Sequence, residues 1–194
     1  MSLVVAIKKG GVVHLGADTR VSKGDRVRSI LAEEDYKIQR LGSCFVGSAG
    51  AVSNIQIMTE NPEWFELGGK PLTKKYIVKN IIPRYYDQVK KTGKLEIDEE
   101  NRNLPNSCCD FIVTDGNSIF VIDDDFEVIE KSKYAQIGCA SMTAFTYLVN
   151  ATDAKSPNEI ILSALRTSAY RDDGVGAPYV LINTKDNEYE IVEE

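Results

Sequence analysis

The stretch Leu3-Val4-Val5-Ala6-Ile7-Lys8-Lys9-Gly10-Gly11-Val12-Val13-His14-Leu15-Gly16-Ala17-Asp18 decides how the chain folds. Two apolar runs flank a Gly-Gly pair, which is the pattern of a β-hairpin. Their apolarity is near-continuous instead of alternating, so the strands must be covered on both faces. A hairpin this close to a terminus frays unless it is tied into a sheet. The sequence therefore calls for a sheet with a layer on each side.

Working outward, residues 37–41 and 44–48 predict a second hairpin about Gly42-Ser43. Residues 51–59 place Val52, Ile55 and Met58 at helical spacing, and residues 73–90 predict a helix bent at Pro83 and stopped by Gly93. Strands are expected over 108–114, 118–122, 127–130 and 135–137, with a turn at Asp115-Gly116-Asn117. A helix follows over 142–151. Another starts at Ser156-Pro157-Asn158-Glu159, with Ser at the N-cap, Pro at the first position and Glu at the third. Residues 172–178 break that helix, and 179–182 with 189–192 close the chain as a hairpin. The polar stretches 18–36 and 94–107 read as loop and extended connection. Strands and helices come in clusters, which argues against a βαβ parallel sheet. The expected class is α+β: a four-layer αββα sandwich of two antiparallel sheets with helix pairs on both outer faces. With no break in composition, one domain spans 1–194.

Composition narrows the function. Hydrophobic residues make up 43% and charged residues 27%, as in ordinary globular proteins. No run approaches the roughly 18 apolar residues of a membrane span. No basic region precedes the first apolar run, so it is not read as a signal peptide, and a cytoplasmic location is expected. The net charge is −6 and the cations are scattered, which argues against nucleic acid as a partner. Asp123-Asp124-Asp125 lacks the spacing and turn glycine of a calcium loop and reads as a solvated turn. Cys44, Cys108, Cys109 and Cys139 contain no CxxC pair, and His14 is the single histidine. A zinc site is thus short of ligands, no metal or cofactor is expected, and the thiols read as reduced. Any Ser-His or Cys-His catalytic pair would have to use His14, which sits inside a strand pattern instead.

An enzyme without histidine has another route. With Met1 removed, Ser2 would carry a hydroxyl and a free α-amine on one residue. An α-amine titrates at about 7.7–8.0 and can act as a base near neutrality. Here the sequence resembles a family. SLVVAIKKGGVVHLGADTR, DYKIQRLG and FVGSAGA, followed by IGCAS and AYRDDGVG, are similar to the motifs of proteasome β-subunits and their bacterial relatives, which are N-terminal-nucleophile hydrolases. The likeness covers nearly the whole chain.

The resemblance implies roles position by position. Ser2 stands where the nucleophile falls, usually Thr. Asp18 and Lys37 match the aspartate that orients a lysine, and Gly50 matches the glycine whose N–H faces the oxyanion. Cys139 and Asp172 match a serine and an aspartate that support the terminal amine. Ser22 falls near the position that bonds substrate backbone, and Val21, Ser48 and Val52 would line a small, mildly apolar pocket. Cys139 and Val175 replace hydroxyl residues, Leu3 replaces a frequent Thr, and the connection from Asp18 to Lys37 is about three residues longer than is expected of the family. The implied protein is a serine- or threonine-type endopeptidase acting on peptides or unfolded protein. The resemblance further implies a homo-oligomeric ring or related assembly, with an ATP-driven unfoldase as the kind of partner that would feed it. Two alternatives stand beside it: a silent structural subunit that keeps Met1, and an acylase of small amides.

Overall fold

The computed structural model describes residues 2–23, 26–30, 32, 35–98, 104–151 and 154–194. Met1 lies outside them. The opening stretch forms β1 (Leu3–Lys9) and β2 (Val12–Asp18), antiparallel with Val4 opposite Ala17. Next come β3 (Arg20–Lys23), β4 (Arg26–Ile30), β5 (Ile38–Leu41), β6 (Cys44–Gly50) and α1 (Val52–Thr59). After a 3-10 turn at Pro62–Phe65, α2 (Lys74–Tyr76) runs through a π-helical stretch, Ile77–Ile81, into α3 (Ile82–Lys91). β7 (Glu96–Asp98), β8 (Leu104–Asn106), β9 (Cys109–Thr114), β10 (Ile119–Ile122), β11 (Val128–Lys131) and β12 (Tyr134–Gly138) follow. α4 (Ser141–Asn150), α5 (Pro157–Arg171), β13 (Tyr179–Asn183) and β14 (Glu188–Val192) complete the chain.

Two five-stranded antiparallel sheets form, in the orders β12-β1-β2-β13-β14 and β11-β10-β9-β6-β5. β1 shows why its apolar run is continuous. Val4 and Ala6 join a core cluster with Phe45, Ala49 and Ile112 of the other sheet, while Leu3, Val5 and Ile7 pack with Leu148, Ile161 and Leu165 of α4 and α5. Each such Val, Leu, Ile or Phe side chain contributes about 1.5–3 kcal/mol on burial. On the far face, Phe111 and Val113 meet Ile77, Ile81 and Tyr85 of the helical layer that includes α1. Three apolar layers thus separate four layers of structure, as expected.

The capping box at Ser156 is present in full. Pro83 follows the π-helical stretch, where the wider turn accommodates its missing N–H and its ring. Three readings need correction. The stretches 18–36 and 94–107 are not plain connections: β3–β4 and β7–β8 pair as two-stranded ribbons. Cys108 does not begin a strand; its φ of 55° places it in the left-handed region. The strand starts at Cys109.

Candidate active site

The site gathers at the start of β1. The chain runs Leu3 opposite Gly138 on one side and Val4 opposite Ala17 on the other, so residue 2 sits between β12 and the end of β2. Asp18 is fully buried there. One oxygen of its carboxylate accepts the Leu3 N–H at 2.8 Å and the Lys37 ammonium at 2.7 Å; the other accepts the Arg20 N–H at 3.1 Å. Lys37 is 6% exposed. Burial pushes its ammonium below the ordinary lysine range, and Asp18 opposes that shift. Burial likewise raises Asp18, against the pull of Lys37 and the two backbone donors.

Ser2 is 8% exposed. Its carbonyl accepts the Cys139 N–H at 3.1 Å and the Cys139 thiol at 3.5 Å. Between them lies Gly138, with φ +101°, where an added Cβ would fall 2.1 Å from the Ser2 oxygen. No side chain fits that position. Burial raises the Cys139 thiol above its ordinary range and the Asp172 carboxylate raises it further, so it stays protonated and acts as a donor. Asp172 terminates α5, where the dipole disfavours a carboxylate. It is held by the Gly174 N–H at 2.8 Å and by its contact with Cys139. A cavity of about 770 Å³ opens beside Cys139 and Asp172, lined from α4 by Met142, Thr146 and Tyr147 and from α5 by Thr167 and Arg171.

Gly50 closes the opposite side. In an antiparallel ladder, alternate N–H groups point to opposite edges. Ser48 donates its N–H to the Lys37 carbonyl at 2.8 Å, and Ala51 donates to the Cys108 carbonyl at 3.0 Å. The Gly50 N–H, two residues on from Ser48, therefore points toward the Lys37 edge, beyond the start of β5 at Ile38. Gly50 has φ +129°, and a Cβ there would meet the Cys108 oxygen at 2.2 Å. Only glycine can hold this turn.

Of the expected pocket residues, Val52 is the first residue of α1 and 48% exposed, whereas Ser48 is buried with its hydroxyl 3.4 Å from the Lys37 carbonyl. Val21 is half-buried on β3. Ser22 lies on β3, and its side chain is outside the described residues. Val175 is buried. The reading missed Arg20, which supplies an N–H to Asp18 and lies against Gly176 in the loop after α5. It also missed Gly138 and Cys108; the Gly-Cys-Ala motif held the signal for the first. The turn after β10 brings carboxylate oxygens of Asp123, Asp125 and Glu127 within 4.8 Å of one another. Among the described residues, no helix is long and apolar enough to cross a membrane.

The stacked sheets, flanking helices and chain order are those of the N-terminal-nucleophile hydrolase fold, and the structural neighbours are HslV-like, proteasome-like and Anbu proteins. Thiobacillus denitrificans BPH, also solved in complex with epoxomicin, matches with TM-score 0.73 and 21% identity over 98% of both chains. HslV from Trypanosoma brucei matches with TM-score 0.62 and 18% identity over 99% of both chains. Anbu (ancestral beta-subunit) from Yersinia bercovieri matches with TM-score 0.70 and 13% identity, over 99% of this chain and 87% of that one. No protein-family model matches the sequence.

Proposed function

We propose that the chain, as one domain spanning 1–194, is a peptidase subunit that uses Ser2 as its nucleophile once Met1 is removed. The observation that carries this reading is the buried Asp18–Lys37 pair, bonded to the N–H of the residue after Ser2. A buried ion pair is a poor source of stability by itself. At the base of a terminal residue it supplies positive charge that favours a neutral amine and an ionised hydroxyl. In the proposed cycle the Ser2 hydroxyl attacks a peptide carbonyl and its own α-amine takes the proton. The Gly50 N–H meets the developing oxyanion, an interaction worth about 2.7–4 kcal/mol for such a donor. The amine returns the proton to the leaving nitrogen, and water then releases the acyl group. Cys139 and Asp172 support the terminal amine. Val21, Ser22, Ser48 and Val52 receive the residues ahead of the scissile bond. The substrates are peptides or unfolded protein, the working form is a homo-oligomeric ring or related assembly, and an ATP-driven unfoldase is the fitting partner.

A silent structural subunit is the second reading. It is favoured by the thiol of Cys139 and the buried apolar Val175 where hydroxyls are expected. Intact mass of the protein expressed from its own start codon, followed by fluorogenic-peptide assays of wild type and Ser2→Ala, decides between them. Loss of Met1 with turnover abolished in Ser2→Ala supports the peptidase. A retained Met1 with no turnover leaves the structural subunit.

A further inference from the structure

The segment that presents the Gly50 N–H does not hold itself in place. Ala51 caps α1 without a side-chain cap bond, and the segment borrows its partners from the irregular chain ahead of β9. The Asn106 side-chain oxygen accepts the Cys108 N–H at 2.6 Å, an Asx turn that fixes Cys108 at φ 55°. This conformation is costly for a residue with a Cβ. It turns the Cys108 carbonyl onto the Ala51 N–H, while the Cys109 thiol donates to the Ala51 carbonyl at 3.3 Å. The Cys108 carbonyl also fills the space a Gly50 side chain would need. Asn106 is anchored in turn. Its amide donates to Asp124 at 2.9 Å, and the adjacent Ser107 N–H donates to the Asp124 carbonyl at 2.7 Å. The buried Asn54 amide of α1 donates to the Ser107 carbonyl at 2.7 Å. The contacts form one chain: Asp124, Asn106, Cys108, Ala51, Gly50.

We infer that Asn106 and Cys108 are positioning residues for the oxyanion donor: the Asn106 turn holds Cys108 left-handed, so that its carbonyl takes the Ala51 N–H and leaves the Gly50 N–H aimed at the reacting carbonyl. This rests on the peptidase reading above. Displacement of the donor weakens an interaction made in the transition state more than substrate binding, so the loss falls on kcat.

The test uses the assembled full chain with Ser2 exposed and a fluorogenic peptide. Asn106→Ala and Cys108→Val should each lower kcat about tenfold or more, with KM within about twofold; tenfold corresponds to about 1.4 kcal/mol. Cys108→Gly adopts the same backbone without strain and should keep wild-type kcat. Placed in the Asn106→Ala background, it should restore most of the lost kcat, which a merely structural role for Asn106 would not predict. Hydrogen exchange across residues 47–55 supplies a readout independent of turnover. Asn106→Ala should speed exchange of the Ala51 amide, and the Cys108→Gly combination should slow it again. Unchanged kcat in Asn106→Ala with an active wild type overturns the inference alone. So does a loss that Cys108→Gly fails to rescue. A wild type that exposes Ser2 yet hydrolyses nothing overturns the peptidase reading and this inference with it, even where the exchange pattern is as expected.

Discussion

The β1–β2 hairpin carries a polar cluster at each end, and the two are built differently. At the Leu3 end, Asp18 and Lys37 are buried, and both oxygens of the carboxylate accept hydrogen bonds. At the other end, His14 is half-buried opposite Ile7, beside Asn158 and Asp186. There the Asn158 side chain lies beside the His14 ring, and its amide donates to Glu190 at 2.9 Å. Desolvating a charge is tolerated where the surroundings answer it with several donors; at the open end the carboxylates of Asp186 and Glu190 stay exposed and need no such provision. The difference separates a buried, fully bonded cluster from a surface one within one hairpin.

The largest expected effect tests whether the buried end is a site at all. Ser2→Ala should reduce turnover of a fluorogenic peptide by at least about a thousandfold while leaving the thermal midpoint in place. His14→Gln, at the other end, should leave turnover unchanged. Equal losses from both variants would erase the distinction.

Next in size is Lys37→Met, which leaves Asp18 buried without its cation. It should cost about 3–5 kcal/mol in denaturant unfolding. Adding Asp18→Asn should recover part of that loss, whereas Asn158→Ala at the open end should cost less than about 1 kcal/mol.

Asp110 is an intermediate case. It is partly buried on β9 opposite Ala49, and its charged neighbours are Asp124, Asp123 and Asp125. Burial first, then those acids, raises its carboxyl to about 6. A carboxyl raised on folding contributes stability below its unfolded value, and that contribution is lost as pH rises toward 6. Asp110→Asn should therefore match wild type near pH 4 and be more stable above pH 6, by about 1–2 kcal/mol after solvent screening. Unfolding curves at pH 4, 5, 6 and 7.5 check the sign.

The smallest effect belongs to His14. Burial lowers it, with Asn158 and Asp186 opposing. The folded protein then takes up this proton less readily than the unfolded chain, so stability declines slightly as pH falls below about 6.5. His14→Gln should flatten that slope without altering the midpoint at pH 8.

The layered fold was legible because residues 3–7 are apolar at every position, which only a doubly covered strand explains. The β3–β4 and β7–β8 ribbons were not, because their largely polar sequences carry no apolar run of the kind seen in β1. Asp18 and Lys37 stand nineteen positions apart. No spacing rule joins them, and only the family resemblance named them as a pair. Asp172 was legible as an oddity, a carboxylate at the wrong end of a helix, and the Gly174 N–H and Cys139 are the partners that oddity implied. Cys108 was misread since it adjoins an apolar strand. The sign of its turn was Asn106 two residues earlier, a polar side chain able to bond the backbone ahead of it.

The first strand also works as a ruler. Its zero mark is the Gly10-Gly11 turn, and its scale is the seven residues of β1. Leu3 is pinned at the far end by the Asp18 carboxylate. Adding or removing one residue between these marks would turn every following side chain to the opposite face. Leu3, Val5 and Ile7 would be exchanged for Val4 and Ala6 in both cores at once, and a different residue would arrive above Lys37. Substitutions along β1 can therefore be absorbed by repacking, but its length cannot drift.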